Sequence, residues 1–414
     1  MRTSSVRRSR GRTAASAALG VLLVGMAAFP AHAESVRSRQ WHLDTLGAEE
    51  VWRISKGEGV TVAVIDSGVD ENHPDLVGRV LDGMDLAPKE RGDEHTDYDG
   101  HGTGMAGIIA GTGTGTGTGT GKGGGGDGAF GLAPGTKILP VRVPRPDQSK
   151  SLKDSNNQVN RTVSQAIRFS ADSGARVISI SLGATEGSQE LTDAVKYALD
   201  KDALVFASVG NSGDKGNKPE YPGATPGVVG VGALDKKLMP LKNSQTGPQV
   251  DIVAPGAKIL HACGGGTGLC DGTGTSDATA LASATAALIW AEHPEWTNNQ
   301  VLRVMLNTIK QPAGGEQRND SVGYGAIRPL RALKTPGDPG PADVRPIPDL
   351  TAEQTSSSSP SAAPAPAKPA PAPAAQADDA EAGSSTGLWI GLGVGAAVLL
   401  GAAVAVPVLR SRRS

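Results

Sequence analysis

The sequence predicts an α/β domain built on a mostly parallel sheet with helices on both faces, followed by a C-terminal transmembrane helix. Three observations lead there. Short apolar, β-branched runs alternate with helical patterns between residues 59 and 291, which implies parallel strands joined by crossover helices in three layers. Polar residues with catalytic chemistry stand at the carboxyl ends of strands or the starts of helices, where open α/β sheets place their sites. A charge-free stretch at 388–409 is long enough, at about 1.5 Å per residue, to cross a hydrocarbon core of ~30 Å.

Bulk numbers agree. The 414 residues leave room for one large domain or two ordinary ones, plus appendages. With 40 basic and 42 acidic residues the net charge is −2, so nothing points to a nucleic-acid partner. Aromatics are only 3%, against 57 glycines and 28 prolines, which fits a loop-rich α/β domain with a low-complexity tail better than a helical bundle.

In chain order, Arg2, Arg7, Arg8, Arg10 and Arg12 precede an apolar stretch, and Ala31-His32-Ala33 supplies the small residues that a signal peptidase reads. Residues 1–33 are therefore expected to be a cleaved signal peptide rather than a retained anchor. Globular signals fill 34–335, beginning with an extension at 34–59. A buried strand at 59–65 runs into Asp66, and further strands are expected at 138–143, 177–181, 204–208 and 228–233. Helical patterns fit 101–110, 160–173, 189–200 and 276–291. Residues 111–128 are almost pure Gly-Thr and Gly, with nothing to bury, and are expected to form a disordered surface loop. A phosphate cradle is excluded because no Gly-Lys-Ser/Thr ending and no helix follow.

Beyond the domain, the Ser/Pro/Ala text of 336–387 cannot bury a core and reads as an extended spacer. The transmembrane segment at 388–409 comes next. Arg410, Arg412 and Arg413 in the tail at 410–414 place it in the cytoplasm by the positive-inside rule. The catalytic domain is then extracytoplasmic on a single-pass type I membrane protein.

The chemistry rests on three short segments. Val64-Ile65-Asp66-Ser67-Gly68, Gly100-His101-Gly102-Thr103 and Gly274-Thr275-Ser276 supply a carboxylate, an imidazole and a hydroxyl in that order. A serine hydroxyl needs a base to take its proton, and the base needs a carboxylate to orient it. Ser276 is the candidate nucleophile, His101 the base and Asp66 its orienter. Singly, each has a bland explanation: a turn serine, a surface histidine, a helix-capping aspartate. Together, in the order Asp, His, Ser and in an exported chain, they make coincidence a poor account. Asn211, after the strand at 204–208, can donate its amide to the oxyanion of a tetrahedral intermediate, with the Ser276 N–H as second donor. Its bland alternative is a left-handed turn residue.

These segments resemble those of the subtilisin-like serine proteases, across roughly residues 41–333. Tyr221-Pro222-Gly223 adds to the likeness, and Ser181, Leu182 and Gly183 resemble the strand end that lines the primary specificity pocket and pairs with substrate backbone. The resemblance implies the three-layer subtilisin-like fold, a polypeptide substrate and no cofactor. The order of leader, catalytic domain, proline-rich spacer and anchor is similar to the mycosins, membrane-anchored subtilases associated with type VII secretion in actinobacteria. That implies a membrane location and secretion-complex partners, with the 34–59 extension wrapping the domain rather than forming a folded prodomain.

Two positions depart from the family pattern. Asp277 follows the nucleophile where most subtilases have Met, and Gly104 stands where the family usually has His. Asp277 sits where a helix dipole favours a carboxylate. It could also raise the His101 pKa or disfavour an oxyanion. The runner-up reading is accordingly a weak pseudoprotease serving as a scaffold on a secretion complex. Cys263 and Cys270 are the only cysteines, and in an exported chain they read as one disulfide closing a short loop ahead of Ser276. Metal binding is not expected there, nor at Asp70, His73 and Asp75, whose Asn-His-Pro-Asp context resembles an ordinary turn.

Overall fold

The structure, a computed structural model, describes residues 35–115, 127–145, 149–264 and 268–350. The leader, the middle of the Gly/Thr tract and the 388–409 segment lie outside the described residues. Among those described, no helix is long and apolar enough to cross a membrane.

The chain opens with three short helices, α1 (Val36–Arg39), α2 (Trp41–Leu46) and α3 (Ala48–Val51). They are docked rather than free: Leu43 and Val51 are fully buried, and Gln40 donates its amide to Phe130 O and Leu260 O. Trp41 and Trp52 each give an indole N–H to a domain carbonyl, of Ala257 and Leu132.

Strands β1 (Thr61–Asp66), β2 (Met84–Asp85), β3 (Lys137–Arg142), β4 (Val177–Ile180), β5 (Leu204–Ser208), β6 (Val229–Leu234) and β7 (Ile252–Pro255) form one sheet in the order β2-β3-β1-β4-β5-β6-β7. Every pairing in it is parallel. After β1 and the short edge strand β2, helix α4 (His101–Ala110) leads to β3, and α5 (Leu152–Asp172) carries the chain back across β1 to β4. The direction of winding therefore reverses at β1, and a crevice opens at its carboxyl end, where Asp66 stands. Helix α6 (Gln189–Asp200) joins β4 to β5.

Strand side chains alternate between faces, and β1 divides itself between two cores. Val62 and Val64 pack with residues of α4, whereas Ala63 and Ile65 pack with α5 and α6. The first core is centred on α7 (Thr275–Glu292), buried from Thr275 to Trp290. A helix surrounded on all sides must be apolar or small all round, and its run of Ala, Ser and Thr lets neighbouring elements come close. Helices α8 (Asn298–Thr308) and α9 (Pro329–Lys334) complete that side. A separate antiparallel hairpin, β8 (Ala257–Ala262) with β9 (Leu269–Thr273), leads into α7.

Most of the expected elements appear within a residue or two of their predicted bounds. Helix α5 starts earlier than the pattern predicted because Ser151 caps it, its Oγ accepting from Asp154 N. At the Gly/Thr tract, both described ends are fixed. Asp75 accepts from Gly115 N through Oδ1 and from Ala129 N through Oδ2, at 2.7 and 2.9 Å. The first residues of the stretch expected to be a spacer, 336–350, lie against the domain. Arg303 donates to the carbonyls of Pro339 and Pro341, Gly227 N donates to Asp349 Oδ2, and Ile347 is buried, so residues 336–350 pack on the domain. Composition could not foresee this, because each contact joins this stretch to a residue far away in the chain, such as Arg303 or Gly227.

Candidate active site

Asp66 ends β1 and His101 begins α4, and the turn between them brings the two together. Both Asp66 carboxylate oxygens lie 2.9 Å from His101 Nδ1. Asp66 is buried and also accepts from Ser67 N at 2.8 Å, while 40% of the His101 side chain is exposed to the crevice. One closeness requires glycine: a Cβ on Gly102 would lie 2.1 Å from Gly68 O. The first turn of α4 has no side-chain cap from Gly100. Asp99 Oδ1 instead accepts from His101 N, and Asp97 accepts from Gly100 N and Thr103 N. Ser67 Oγ joins the halves, donating to Asp97 Oδ1 and accepting from Gly102 N. Sequence reasoning missed Asp97 and Ser67. The signal was present in Asp97-x-Asp99 directly before a helix start.

Ser276 lies in the first turn of α7. Its Oγ points at Ser181 O, 3.5 Å away, rather than forming a hydrogen bond with His101; apo sites often tighten only with substrate in place. Ser181, Leu182 and Gly183 follow β4, and Ser181 supplies the carbonyl that Ser276 Oγ faces. Asn211 follows β5 on the other side. Its Oδ1 accepts from Thr275 N at 2.9 Å, which fixes the amide plane and leaves Nδ2 without an acceptor among the described residues. Thr275 is thus an orienting residue that the sequence did not reveal.

The electrostatics centre on His101. The Asp66 carboxylate, partly opposed by burial and helped by Asp277 and Asp99, pushes its pKa up to about 9. Burial raises Asp277 to about 7, opposed by charge on His101. Behind Asp277 stands His261 of β8, whose Nδ1 lies 2.6 Å from Ala262 O. Burial, and then the His101 charge, depress its pKa against a raising hydrogen bond to Ala262 O. His261 occupies the room left by Gly104, where an added Cβ would meet its Cε1 at 2.7 Å.

Cys263 and Cys270 form the expected disulfide, with sulfurs 2.02 Å apart, across the β8–β9 hairpin. His73 ties that hairpin down through Nε2 to Gly268 O at 2.9 Å, and its Nδ1 accepts from Asp75 N. His73 therefore serves a turn. Among the described residues no cluster of three or more His, Cys, Asp or Glu could hold a metal ion.

This arrangement supplies an oriented imidazole, a serine at a helix start and a free amide donor in one crevice. The model of the subtilase family matches residues 57–325. Thermitase from Thermoactinomyces vulgaris is 35% identical over 222 residues, which is 54% of this chain and 72% of that protein. Among solved structures, MycP1 from Mycobacterium smegmatis superposes with a TM-score of 0.62 at 25% identity, covering 76% of this chain and 89% of that one. A chain in the periplasmic assembly from the ESX-5 inner membrane complex gives 0.61 at 28% identity, covering 80% and 90%. With the match spanning the sheet, the crevice and α7 alike, the chain belongs to the subtilase family of serine endopeptidases.

Proposed function

We propose that this chain is a membrane-anchored, extracytoplasmic endopeptidase linked to type VII protein secretion, with Asp66, His101 and Ser276 as its catalytic triad. The observation that carries the catalytic part is the grip of both Asp66 oxygens on His101 Nδ1. It fixes the tautomer that leaves Nε2 free to accept a proton. Ser276 Oγ gives its proton to Nε2 as it attacks the scissile carbonyl. Asn211 Nδ2 and the Ser276 N–H then donate to the oxyanion. His101 returns the proton to the leaving amine, and water repeats the cycle on the acyl-enzyme.

Support for the secretion role is the likeness to MycP1 and to the ESX-5 inner membrane assembly, joined with the leader, spacer and 388–409 anchor read from the sequence. A second reading, a scaffold with weak chemistry, draws on the Ser276 Oγ facing Ser181 O and on the buried Asp277 carboxyl beside the nucleophile. Labelling of the full-length protein, purified in detergent, with a fluorophosphonate decides between them, using Ser276→Ala as control. Labelling of the wild type alone supports the endopeptidase. A folded protein that resists the probe favours the scaffold.

A further inference from the structure

The edge at 181–183 and the turn at 210–212 stand as two walls beside Ser276. Ser276 Oγ reaches Ser181 O on one side, and Asn211 holds Thr275 N on the other. A peptide carbonyl attacked by Ser276 and facing Asn211 must send its own side chain down between these walls. The far end is closed, because Ala184 and Tyr221 exchange two backbone hydrogen bonds of 2.7 and 2.8 Å.

Just before that closure, Glu220 turns back into the gap. A Cβ added to Gly183 would lie 2.9 Å from Glu220 Oε2, and one added to Gly210 would lie 2.7 Å from its carboxyl carbon. The carboxylate thus touches both walls, and only glycines leave it room. Its Oε1 accepts from Ser212 Oγ at 3.0 Å and from Gln245 Nε2 at 2.8 Å, which holds the side chain in place. Oε2 has no hydrogen-bond partner among the described residues, and none of their ion pairs involves Glu220.

We propose that Glu220 is the charged floor of the pocket for the residue whose carbonyl is cleaved, and that it selects lysine or arginine there. This rests on Ser276 being the nucleophile. An ammonium or guanidinium reaching Oε2 gains a charge-assisted hydrogen bond, while the half-buried Leu182 lines the path of its methylene stem. An apolar side chain would strip water from the carboxylate and return nothing. If Glu220 only tied Ser212 to Gln245, its charge would not affect which residue is cleaved.

The test uses full-length protein in detergent and quenched peptides that differ only at the residue before the scissile bond: Lys, Arg, Leu or Gln. Wild type should cleave the Lys and Arg peptides with kcat/KM about ten- to a hundredfold above the Leu and Gln peptides, the span of a hydrogen bond to a charged group. Glu220→Gln, which keeps an acceptor for Ser212 and Gln245, should bring that ratio close to one. Glu220→Asp, which keeps the charge on a shorter stem, should retain a weaker preference. Cleavage with no basic preference, or a preference that survives Glu220→Gln, overturns the role of Glu220 alone. Failure of every peptide together with failure of fluorophosphonate labelling overturns the nucleophile, and the pocket with it.

Discussion

Asp277 Oδ1 faces His261 Nε2 across 3.9 Å, inside the protein and directly behind the nucleophile's turn. The Asp277 oxygen makes no hydrogen bond. Because His261 commits its Nδ1 to Ala262 O, a neutral imidazole presents a lone pair to the carboxyl group. A carboxylate there meets no donor, whereas a protonated carboxyl can turn its O–H toward Nε2. The geometry and the upward shift of Asp277 to about 7 therefore agree: near neutrality the proton is shared between burial, which holds it on, and a charged His101, which drives it off.

The first expectation concerns the pH profile. In the proposed triad His101 must be neutral to accept the Ser276 proton, and Asp66, with a lesser contribution from Asp277, holds its pKa at about 9. Turnover of a neutral peptide should thus climb through the alkaline range. Asp277→Asn removes one anion that stabilises the imidazolium, so the acid limb moves to lower pH. Activity at neutral pH should rise about two- to tenfold, tenfold being one full pKa unit. An unmoved limb would mean that the carboxyl group does not act on His101.

Stability should respond in the opposite part of the range. The folded Asp277 holds its proton well above the unfolded value of 3.8, so the native state binds more protons between these two values. Its contribution to stability is therefore full below pH 4 and lost as pH rises through about 7. Asp277→Asn should stabilise the fold by about 1–3 kcal/mol at pH 8 and by little at pH 4, read from denaturant midpoints.

Asn211→Ala removes the free amide donor, and with it the acceptor for Thr275 N. Loss should fall on kcat, about 10²–10³-fold with KM nearly unchanged, a figure that comes from the corresponding donor in a subtilisin. A loss confined to KM would assign Asn211 to substrate binding instead.

Gly102→Ala places a methyl group 2.1 Å from the Gly68 carbonyl, a backbone atom that cannot rotate away. Helix α4 must shift from β1, and His101 with it. A displacement near 1 Å costs about 10²-fold in rate. The fluorophosphonate reaction should slow in parallel, since it uses the same base.

Much of this was legible in the sequence because it is local. Asp66 closes an apolar strand and His101 opens a glycine-rich helix, so secondary structure alone carries both to the crevice. Asn211 and Ser276 follow the same logic. What the sequence hid are contacts between segments far apart in the chain. Gly104 looked like a plain departure from the family, yet the space it leaves holds the imidazole of His261 from another strand. Glu220 gave no signal of its own, because its position between Gly183 and Gly210 depends on three loops meeting. The packed stretch at 336–350 was hidden differently, its Pro-rich text being held by Arg303 and the Arg345–Asp349 pair.

That packed stretch has a mechanical consequence. Asp349 docks on Gly227, which precedes β6, so the last described residues sit at the amino ends of the parallel strands. Asp66 and Asn211, proposed for catalysis, lie at the carboxyl ends of β1 and β5, about 15–20 Å away across a strand of five or six residues. A pull transmitted through the chain beyond Leu350 is thus borne first by the Arg303 and Asp349 contacts. Those can peel away while β1, α4 and α7 remain in register. In a pulling experiment from the C-terminus, a small early extension should precede loss of fluorophosphonate reactivity. Simultaneous loss would mean that the crevice shares the load. A load applied to the domain from its C-terminal side should therefore spend itself on a disposable hem before it reaches the blades.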